Sequence, residues 1–193
     1  MLLNIFQVLL LTFCFSFCGN KSNYKDQKNS PKTIIAYLAK DSIEKVAVLS
    51  PKSLINTKNT TPEELVSFAK TLVGIPYLYG SINPNKGFDC SGFIFYVFNH
   101  FQIAVPRSSK DFANIGATIP VSESKPGDLI LFTGTDSSKR EIGHMGIITS
   151  HVNDVQFIHS TSGKAYSVTI TPLNKYYWGR FVKIIRPFHR NNY

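Results

Sequence analysis

The sequence is poor in cysteine, with three in 193 residues: Cys14, Cys18 and Cys90. The first two lie in an apolar amino-terminal segment, so the rest of the chain has a single thiol and cannot form an internal disulfide. A small fold held together by disulfides is therefore excluded. The isolated cysteine, Cys90, needs a different explanation.

Acidic residues are scarce as well, with 12 Asp and Glu against 21 Lys and Arg, a formal net charge of +9. Such a charge can attract nucleic acid, an anionic membrane or anionic wall polymers. The sequence has no zinc-finger spacing, no Walker-type loop and no RNA-binding signature, and its basic residues are scattered through predicted loops. We therefore expect no nucleic-acid partner and no cofactor.

Charge is absent from the amino-terminal segment, where no Asp, Glu, Lys or Arg occurs between Leu2 and Cys18. Its length is at the lower limit of the roughly 17 to 25 apolar residues that span a bilayer, and it contains Asn4 and Gln7. We interpret residues 1–18 as an export signal, with a retained membrane anchor as the alternative.

Cys18 ends this segment, and its position resembles that of the lipid-modified cysteine of bacterial lipoproteins. Phe17 stands where such signals prefer a small residue, so lipidation of Cys14 or an unmodified leader remain alternatives. We expect an exported protein of the cell envelope that faces the periplasm or the exterior. Its membrane attachment is predicted to be a lipid on Cys18.

The remaining chain divides by composition into a tether and one folded domain. Residues 19–60 are rich in Lys, Asn, Ser and Thr, which is typical of a linker. The domain is predicted at residues 61–188 and is expected to be a monomer. Its first helix is signalled by Thr61, which can cap it, and by Pro62, which suits its first position.

Hydrophobic spacing changes from a helical to a strand period along the domain. Helices are predicted at about 61–73, 90–101 and 108–116, and strands at about 128–132, 146–150, 155–160, 166–171 and 181–187. Helices followed by strands indicate an α+β domain in which amino-terminal helices pack on a mostly antiparallel sheet.

Cys90 is placed where the second, strongly apolar helix should begin, with Asp89 as its cap. The partial positive charge of a helix amino terminus lowers the pKa of a thiol and can make it a nucleophile. Without partners, a cysteine in an apolar helix is more often a small core residue. The case for chemistry therefore depends on other residues.

Two histidines are predicted to be such partners. His144 precedes one predicted strand and His159 lies near the end of the next, so an antiparallel hairpin brings them together. A turn near His151 places the imidazoles opposite each other, whereas a turn at Asn153 offsets them by about four residues, and both registers remain open. His144 can then act as a base for the thiol and His159 can orient it.

Other constellations are weaker. No Gly-x-Ser-x-Gly segment occurs, which argues against a serine hydrolase elbow. Cys90 and the two histidines could bind zinc by residue type, but they include no closely spaced ligand pair, so no metal is expected. The three other histidines have ordinary positions in a helix end, a turn and the carboxyl tail.

Six segments in order resemble the NlpC family of bacterial cell-wall cysteine peptidases, which have a compact papain-like fold. The segments are Gly74-Ile75-Pro76-Tyr77-Leu78-Tyr79-Gly80, Phe88-Asp89-Cys90-Ser91-Gly92-Phe93, Val105-Pro106-Arg107-Ser108-Ser109, Lys125-Pro126-Gly127-Asp128-Leu129, Gly143-His144-Met145-Gly146-Ile147 and Phe157-Ile158-His159-Ser160. The resemblance covers nearly the whole predicted domain. Departures include Ser81, Phe112 and Met145, which are expected to affect specificity more than catalysis.

The resemblance implies that Cys90 is the nucleophile, His144 the base and His159 the third polar member. It also implies that the Tyr77 hydroxyl joins the Cys90 backbone amide at an oxyanion site, although a core aromatic is the alternative. Asp89 and Ser91 are expected to contact substrate, with helix capping as their alternative role.

The implied reaction is hydrolysis of the amide between D-glutamate and the diamino acid of peptidoglycan stem peptides, through a thioester on the cysteine. Two alternatives stay open. One is a related thiol amidase or acyltransferase on another substrate, including γ-glutamyl bonds outside the wall. The other is a lipoprotein that binds the wall without catalysis.

Overall fold

The computed structural model describes residues 55–136 and 138–188. The predicted leader, with Cys14 and Cys18, and most of the predicted tether lie outside these residues. Within the two described ranges, no helix has the length and apolar character needed to cross a bilayer.

The first helix, α1 (Pro62–Thr71), begins where its capping residues predict. The Thr61 hydroxyl accepts a hydrogen bond from the Glu64 amide at 3.2 Å, and the Glu64 carboxylate accepts one from the Thr61 amide at 2.9 Å. Such a reciprocal capping box satisfies two amides that the helix leaves unpaired, and a good cap is worth about 1 kcal/mol. The start of α1 is thus determined by local sequence.

The other helical elements follow the predicted order. They are α2 (Cys90–His100), a 3₁₀ helix (Ser109–Asn114), a second short 3₁₀ helix (Val121–Glu123) and α3 (Lys175–Arg180). Helix α3 was not predicted, because it is short and its apolar spacing is hidden among aromatic residues. Asn174 caps it by accepting hydrogen bonds from the Tyr176 and Tyr177 amides.

Six strands form one sheet in the order β3-β8-β4-β5-β6-β7, and every neighbouring pair is antiparallel. The strands are β3 (Ala117–Ile119), β4 (Leu129–Thr133), β5 (Ile142–His151), β6 (Val155–Ser160), β7 (Val168–Pro172) and β8 (Phe181–Arg186). Two further strands, β1 (Ile82–Asn83) and β2 (Gly87–Phe88), pair as a small hairpin before α2. The α+β prediction is confirmed.

The sheet is apolar on both faces. Alternate residues of β4 divide between two buried clusters: Leu129 and Leu131 belong to the one that includes α1 and α2, and Ile130 and Phe132 to the one that includes Tyr177 of α3. Burial of each such side chain contributes about 1.5–3 kcal/mol. This two-sided burial explains why the sequence of β4 is continuously apolar rather than alternating.

The structure adds detail that the sequence did not predict. β5 begins at Ile142, about four residues before its predicted start. The prediction placed the start too late because Gly143 and Gly146 interrupt the apolar pattern that marks a strand. β3 and the β1–β2 hairpin are too short to leave a periodic signal. Ile55 is buried in the core, so packing begins a few residues before the predicted domain boundary.

A buried ion pair joins Asp128, the residue before β4, to Arg186 at the end of β8. The Asp128 carboxylate, which is fully buried, accepts hydrogen bonds from Nε and Nη2 of Arg186, each at 2.8 Å, and from the Lys125 amide at 2.9 Å. Removing one partner leaves the other charge poorly compensated in a dry environment.

We expect Asp128→Ala to lower the free energy of unfolding by about 3 kcal/mol, measured by urea denaturation. The matched control is Asp154→Ala, which removes an exposed carboxylate from a turn and should change the free energy by less than about 0.5 kcal/mol. Equal effects of the two substitutions would contradict a stabilising role for the ion pair.

Candidate active site

Cys90 is the first residue of α2, as predicted, and is half-buried. Asp89 caps the helix, and its Oδ1 accepts a hydrogen bond from the Gly92 amide at 2.6 Å. The Cys90 Sγ lies 3.8 Å from the carbonyl oxygen of Gly143, which is near the start of β5. The thiol therefore sits at the positive end of a helix and faces the strand that carries His144.

Asp89 and Ser91 are held by an arginine that the sequence analysis did not single out as a site residue. Nη2 of Arg107 lies 2.5 Å from Asp89 Oδ2, while Nη1 donates to Asp89 Oδ1 and to Ser91 Oγ, each at 3.0 Å. A bidentate pair of this kind fixes both side chains. Both residues flank Cys90 and order the helix start, and their contact with substrate stays a prediction.

Gly92 lets the helix start approach the chain that precedes it. A Cβ at this position would collide with the backbone carbonyl oxygen of Ser81 and would come within 3.0 Å of Asp89 Oδ1. Because the obstacle is backbone, a side chain cannot be accommodated by rotation. The glycine after Asp89-Cys90-Ser91 is thus a packing requirement of the thiol's position.

The two predicted histidines meet directly. His144 Nε2 lies 2.8 Å from His159 Nδ1, and His159 Nε2 lies 3.0 Å from the hydroxyl of Thr171 in β7. If His144 uses Nδ1 as a base, Nε2 carries hydrogen and donates to His159, whose own Nε2 hydrogen then donates to Thr171. One consistent set of tautomers therefore leaves Nδ1 of His144 to accept a proton.

The pairing register differs from both of the alternatives drawn from the sequence. Ile147 pairs with Ile158, but His151 pairs with Val155, because β5 contains one extra residue between Ile148 and Ser150. This bulge places His144 and His159 two positions out of direct opposition. An offset of two keeps both side chains on one face of the sheet, where they meet diagonally.

Gly146 allows this diagonal contact. It lies opposite His159, and a Cβ there would be 2.8 Å from Phe157 Cδ2, 2.9 Å from the Ile158 oxygen and 3.2 Å from the His159 Cβ. Each of these distances is shorter than normal packing allows, so any larger residue would push β6 away from β5. The histidine pair depends on a glycine at this position.

The environment favours uncharged side chains at the site. Burial, then His159 and Arg180, hold the pKa of His144 well below its ordinary value, and burial and Arg180 lower the pKa of His159 from 6.5 to about 3. Burial and the Asp89 carboxylate raise the pKa of the Cys90 thiol, although backbone amides at the helix start and Arg107 oppose the shift. Both trends favour a neutral thiol and a neutral imidazole.

Tyr77 lines the same cleft as Cys90 and His144. Its backbone amide donates to the Tyr166 carbonyl at 2.9 Å, and the two rings pack edge to face at 5.7 Å. Burial raises the pKa of Tyr77, with a further contribution from Cys90. The phenol therefore keeps its hydrogen and can act as a donor near the thiol, which its predicted role requires.

The cleft has a volume of about 1070 Å³ and is bounded by residues 161–165, by α3 and by the segment after β4. Besides the predicted residues, it is lined by Thr171 and Arg180, which sequence reasoning missed. Neither belongs to a local motif, and only the fold brings them to the site. No group of three His, Cys, Asp or Glu suited to a metal ion occurs in residues 55–136 and 138–188.

Comparison with known proteins supports the resemblance. The sequence model of the NlpC/P60 family matches residues 74–186. The chain is 36% identical over 135 residues to a Bacillus subtilis protein named Gamma-DL-glutamyl hydrolase. This alignment covers 68% of this chain and 31% of the relative. It is 40% identical over 116 residues to the Bacillus subtilis protein named Probable peptidoglycan endopeptidase LytE, covering 60% of this chain and 31% of the relative.

The fold is also similar to solved structures. An NlpC/P60 family protein from Bacillus cereus aligns with a TM-score of 0.58 and 28% identity, over 66% of this chain and 40% of that one. The matched part thus spans about a third of each of the two curated relatives and less than half of this structural neighbour.

Alkylation of Cys90 tests the charge state of the site, because iodoacetamide reacts with the thiolate. Since the pKa of the thiol is raised, we expect the rate to rise continuously between about pH 6 and about pH 9, at or below the rate of an unstructured cysteine peptide. The control is a short peptide with the sequence of residues 87–93. A plateau at acidic pH would show a thiolate–imidazolium pair and would contradict the neutral resting state.

Proposed function

The chain belongs to the NlpC/P60 family, and we propose that it is a peptidoglycan hydrolase whose nucleophile is Cys90. The proposed bond is the amide between D-glutamate and the diamino acid of wall stem peptides. The observation that carries the proposal is that one cleft is lined by a thiol at a helix amino terminus and by His144, which the buried His159 links to Thr171 through hydrogen bonds. These are the parts that nucleophilic acyl transfer requires.

In the proposed reaction the Cys90 sulfur attacks the amide carbonyl carbon while the thiol proton passes to His144 Nδ1. The carbon–nitrogen bond then breaks, and the departing amine takes the proton from His144. This leaves the acyl group on Cys90 as a thioester. Water, deprotonated by His144, attacks the thioester and releases the carboxylic acid, and the proton returns to the thiolate.

His159 orients His144 in this scheme rather than carrying charge. Its pKa of about 3 keeps it neutral throughout the working pH range, so it accepts the Nε2 hydrogen of His144 in both states of the base. Thr171 fixes the other end of His159. Because His159 occupies Nε2 of His144, Nδ1 is the ring nitrogen left to take the thiol proton.

The negative charge on the carbonyl oxygen would be stabilised by the Cys90 backbone amide and the Tyr77 hydroxyl. The amide is free of an intrahelical partner because Cys90 is the first helical residue. Tyr77 lines the cleft with its hydrogen retained. A single donor of this type contributes about 3 kcal/mol to transition-state stabilisation.

A second candidate substrate is a γ-glutamyl peptide outside the wall. The relative named Gamma-DL-glutamyl hydrolase aligns over 68% of the chain, which makes this alternative specific. The net charge of +9 would suit an anionic peptide of that kind as well as wall polymers. Both candidates share a carbonyl at the γ-position of glutamate, so the same site chemistry serves them.

Cleavage of purified wall peptides tests the function. We expect the protein to cut diaminopimelate-type stem peptides after D-glutamate, detected by mass spectrometry, and Cys90→Ala to abolish turnover while retaining the fold. His144→Ala should lower the rate by about 10²–10⁴-fold through loss of the base. The matched control is His151→Ala, which removes a histidine outside the cleft.

Three results would contradict this assignment. Cleavage that survives Cys90→Ala would exclude the thiol mechanism. If the intact protein cuts γ-glutamyl peptides but no wall peptide, the second candidate substrate is favoured. Binding of wall peptides without cleavage of any substrate would indicate a wall-binding protein.

We also propose that the protein acts in the cell envelope, as an exported monomer attached to a membrane by a lipid on Cys18. The predicted leader and the activities named for its relatives support this location. Cys18→Ser should move the protein from the membrane fraction to the soluble fraction and prevent incorporation of labelled fatty acid. Cys14→Ser is the matched control, and loss of label in Cys14→Ser alone would place the lipid on Cys14.

A further inference from the structure

Arg180 is a buried cation with no carboxylate partner in the described part of the chain. It is 8% exposed, and it donates from Nε to the Gly134 carbonyl at 3.0 Å, from Nη2 to the Thr133 carbonyl at 2.8 Å and from Nη1 to the Tyr176 hydroxyl at 2.7 Å. No Asp or Glu among the described residues forms an ion pair with it. Buried arginine is uncommon unless its charge is paired.

The guanidinium retains the capacity to bind one more group. It has five N–H donors, and the three hydrogen bonds above leave one N–H on each terminal nitrogen. Two donors on one guanidinium are what a carboxylate accepts in a bidentate pair. The bonds to two backbone carbonyls at the end of β4 hold the group in place before any ligand arrives.

Arg180 lines the cleft that also contains Cys90 and His144, and it is a charged side chain on the cleft wall. Lys164 is a second cation on its wall, and none of the described residues lining it is Asp or Glu. A concave site lined by charges of one sign concentrates ligands of the opposite sign. The cleft therefore favours an anionic ligand, and Arg180 is its fixed cation.

The two arginines near the site neighbour different members of the Cys90–His144 pair. Arg107 bonds Asp89, the residue before Cys90. The Arg180 guanidinium carbon lies 6.0 Å from the centre of the Tyr177 ring, which stacks with the His144 ring at 6.3 Å. In the proposed reaction His144 gives its proton to the departing amine, so the leaving amino acid must lie on the histidine side. That is the side of Arg180.

We propose that Arg180 binds a free carboxylate on the amino acid that leaves, and so selects peptides whose leaving residue carries one. The inference rests on the proposed function for the identity of the leaving side. Arg180 is then a substrate-binding residue that determines specificity, and it takes no part in bond making.

The test compares two probes that differ by one charge. They are L-alanyl-γ-D-glutamyl-L-lysine as the free acid and the same tripeptide as its carboxyl-terminal amide. On the carbon next to the leaving nitrogen, the free acid carries a carboxylate and the amide carries a carboxamide. Affinity is measured by calorimetry with the full chain carrying Cys90→Ala, which cannot turn the probes over. We expect the free acid to bind about tenfold more tightly than the amide.

Added substitutions locate this preference. Cys90→Ala with Arg180→Gln should bind the two probes equally, and Arg180→Lys, which keeps the charge, should restore part of the preference. Lys175→Gln, an equal change of charge on an exposed position of α3, is the matched control and should leave the ratio unchanged. If circular dichroism shows that Arg180→Gln does not fold, the ratio of affinities is compared between Arg180→Lys and the chain with Arg180 intact.

The outcomes separate this inference from the proposed function. Equal affinity for acid and amide in the Cys90→Ala chain, or an equal loss of affinity for both on substitution of Arg180, would overturn the inference. Cleavage of the tripeptide by the chain with Cys90 intact is measured in parallel. A preference for the acid without any cleavage would support the Arg180 site and count against the hydrolase, whereas cleavage without a preference would do the reverse.

Discussion

The position of the thiol depends on the carboxylate of Asp89. It caps α2 through the Gly92 amide, pairs with Arg107 and so fixes the helix start that carries Cys90. The same charge works against ionisation of the neighbouring sulfur, since it raises the pKa of Cys90. Arg107 offsets part of this cost. Asp89 therefore fixes the helix start but disfavours the Cys90 thiolate, and its ion pair with Arg107 keeps this unfavourable effect small.

The contact between His144 and His159 depends on a different constraint, the extra residue of β5. Without the bulge near Thr149, the hairpin that ends at His151 and Val155 would keep His144 and His159 further out of register. The bulge shifts the pairing by one position, and Gly146 then allows the strands to approach closely enough for the 2.8 Å contact between the rings. A local irregularity in a regular sheet thus creates the hydrogen-bond chain.

The sequence predicts those features that local chemistry determines. The Thr61 capping box, the start of α2 at Cys90 and the β6 boundaries follow from caps, apolar spacing and turn residues. The residue types and order of Cys90, His144 and His159 were sufficient to suggest a site. The register was not predictable, because a one-residue bulge leaves no local signal. Arg180 was missed since only the docking of α3 against the end of β4 brings it to the cleft.

The raised pKa of Cys90 affects how easily the thiol is oxidised. Peroxide and disulfide-forming oxidants attack the thiolate, and the first product, a sulfenic acid, can be oxidised further to forms that are not reversed. Because its pKa is raised, the Cys90 thiol keeps its proton and reacts slowly with them. In an oxidising compartment such a side chain would stay reduced. In the proposed mechanism it becomes nucleophilic only when a bound peptide brings its carbonyl within reach and the thiol proton passes to His144.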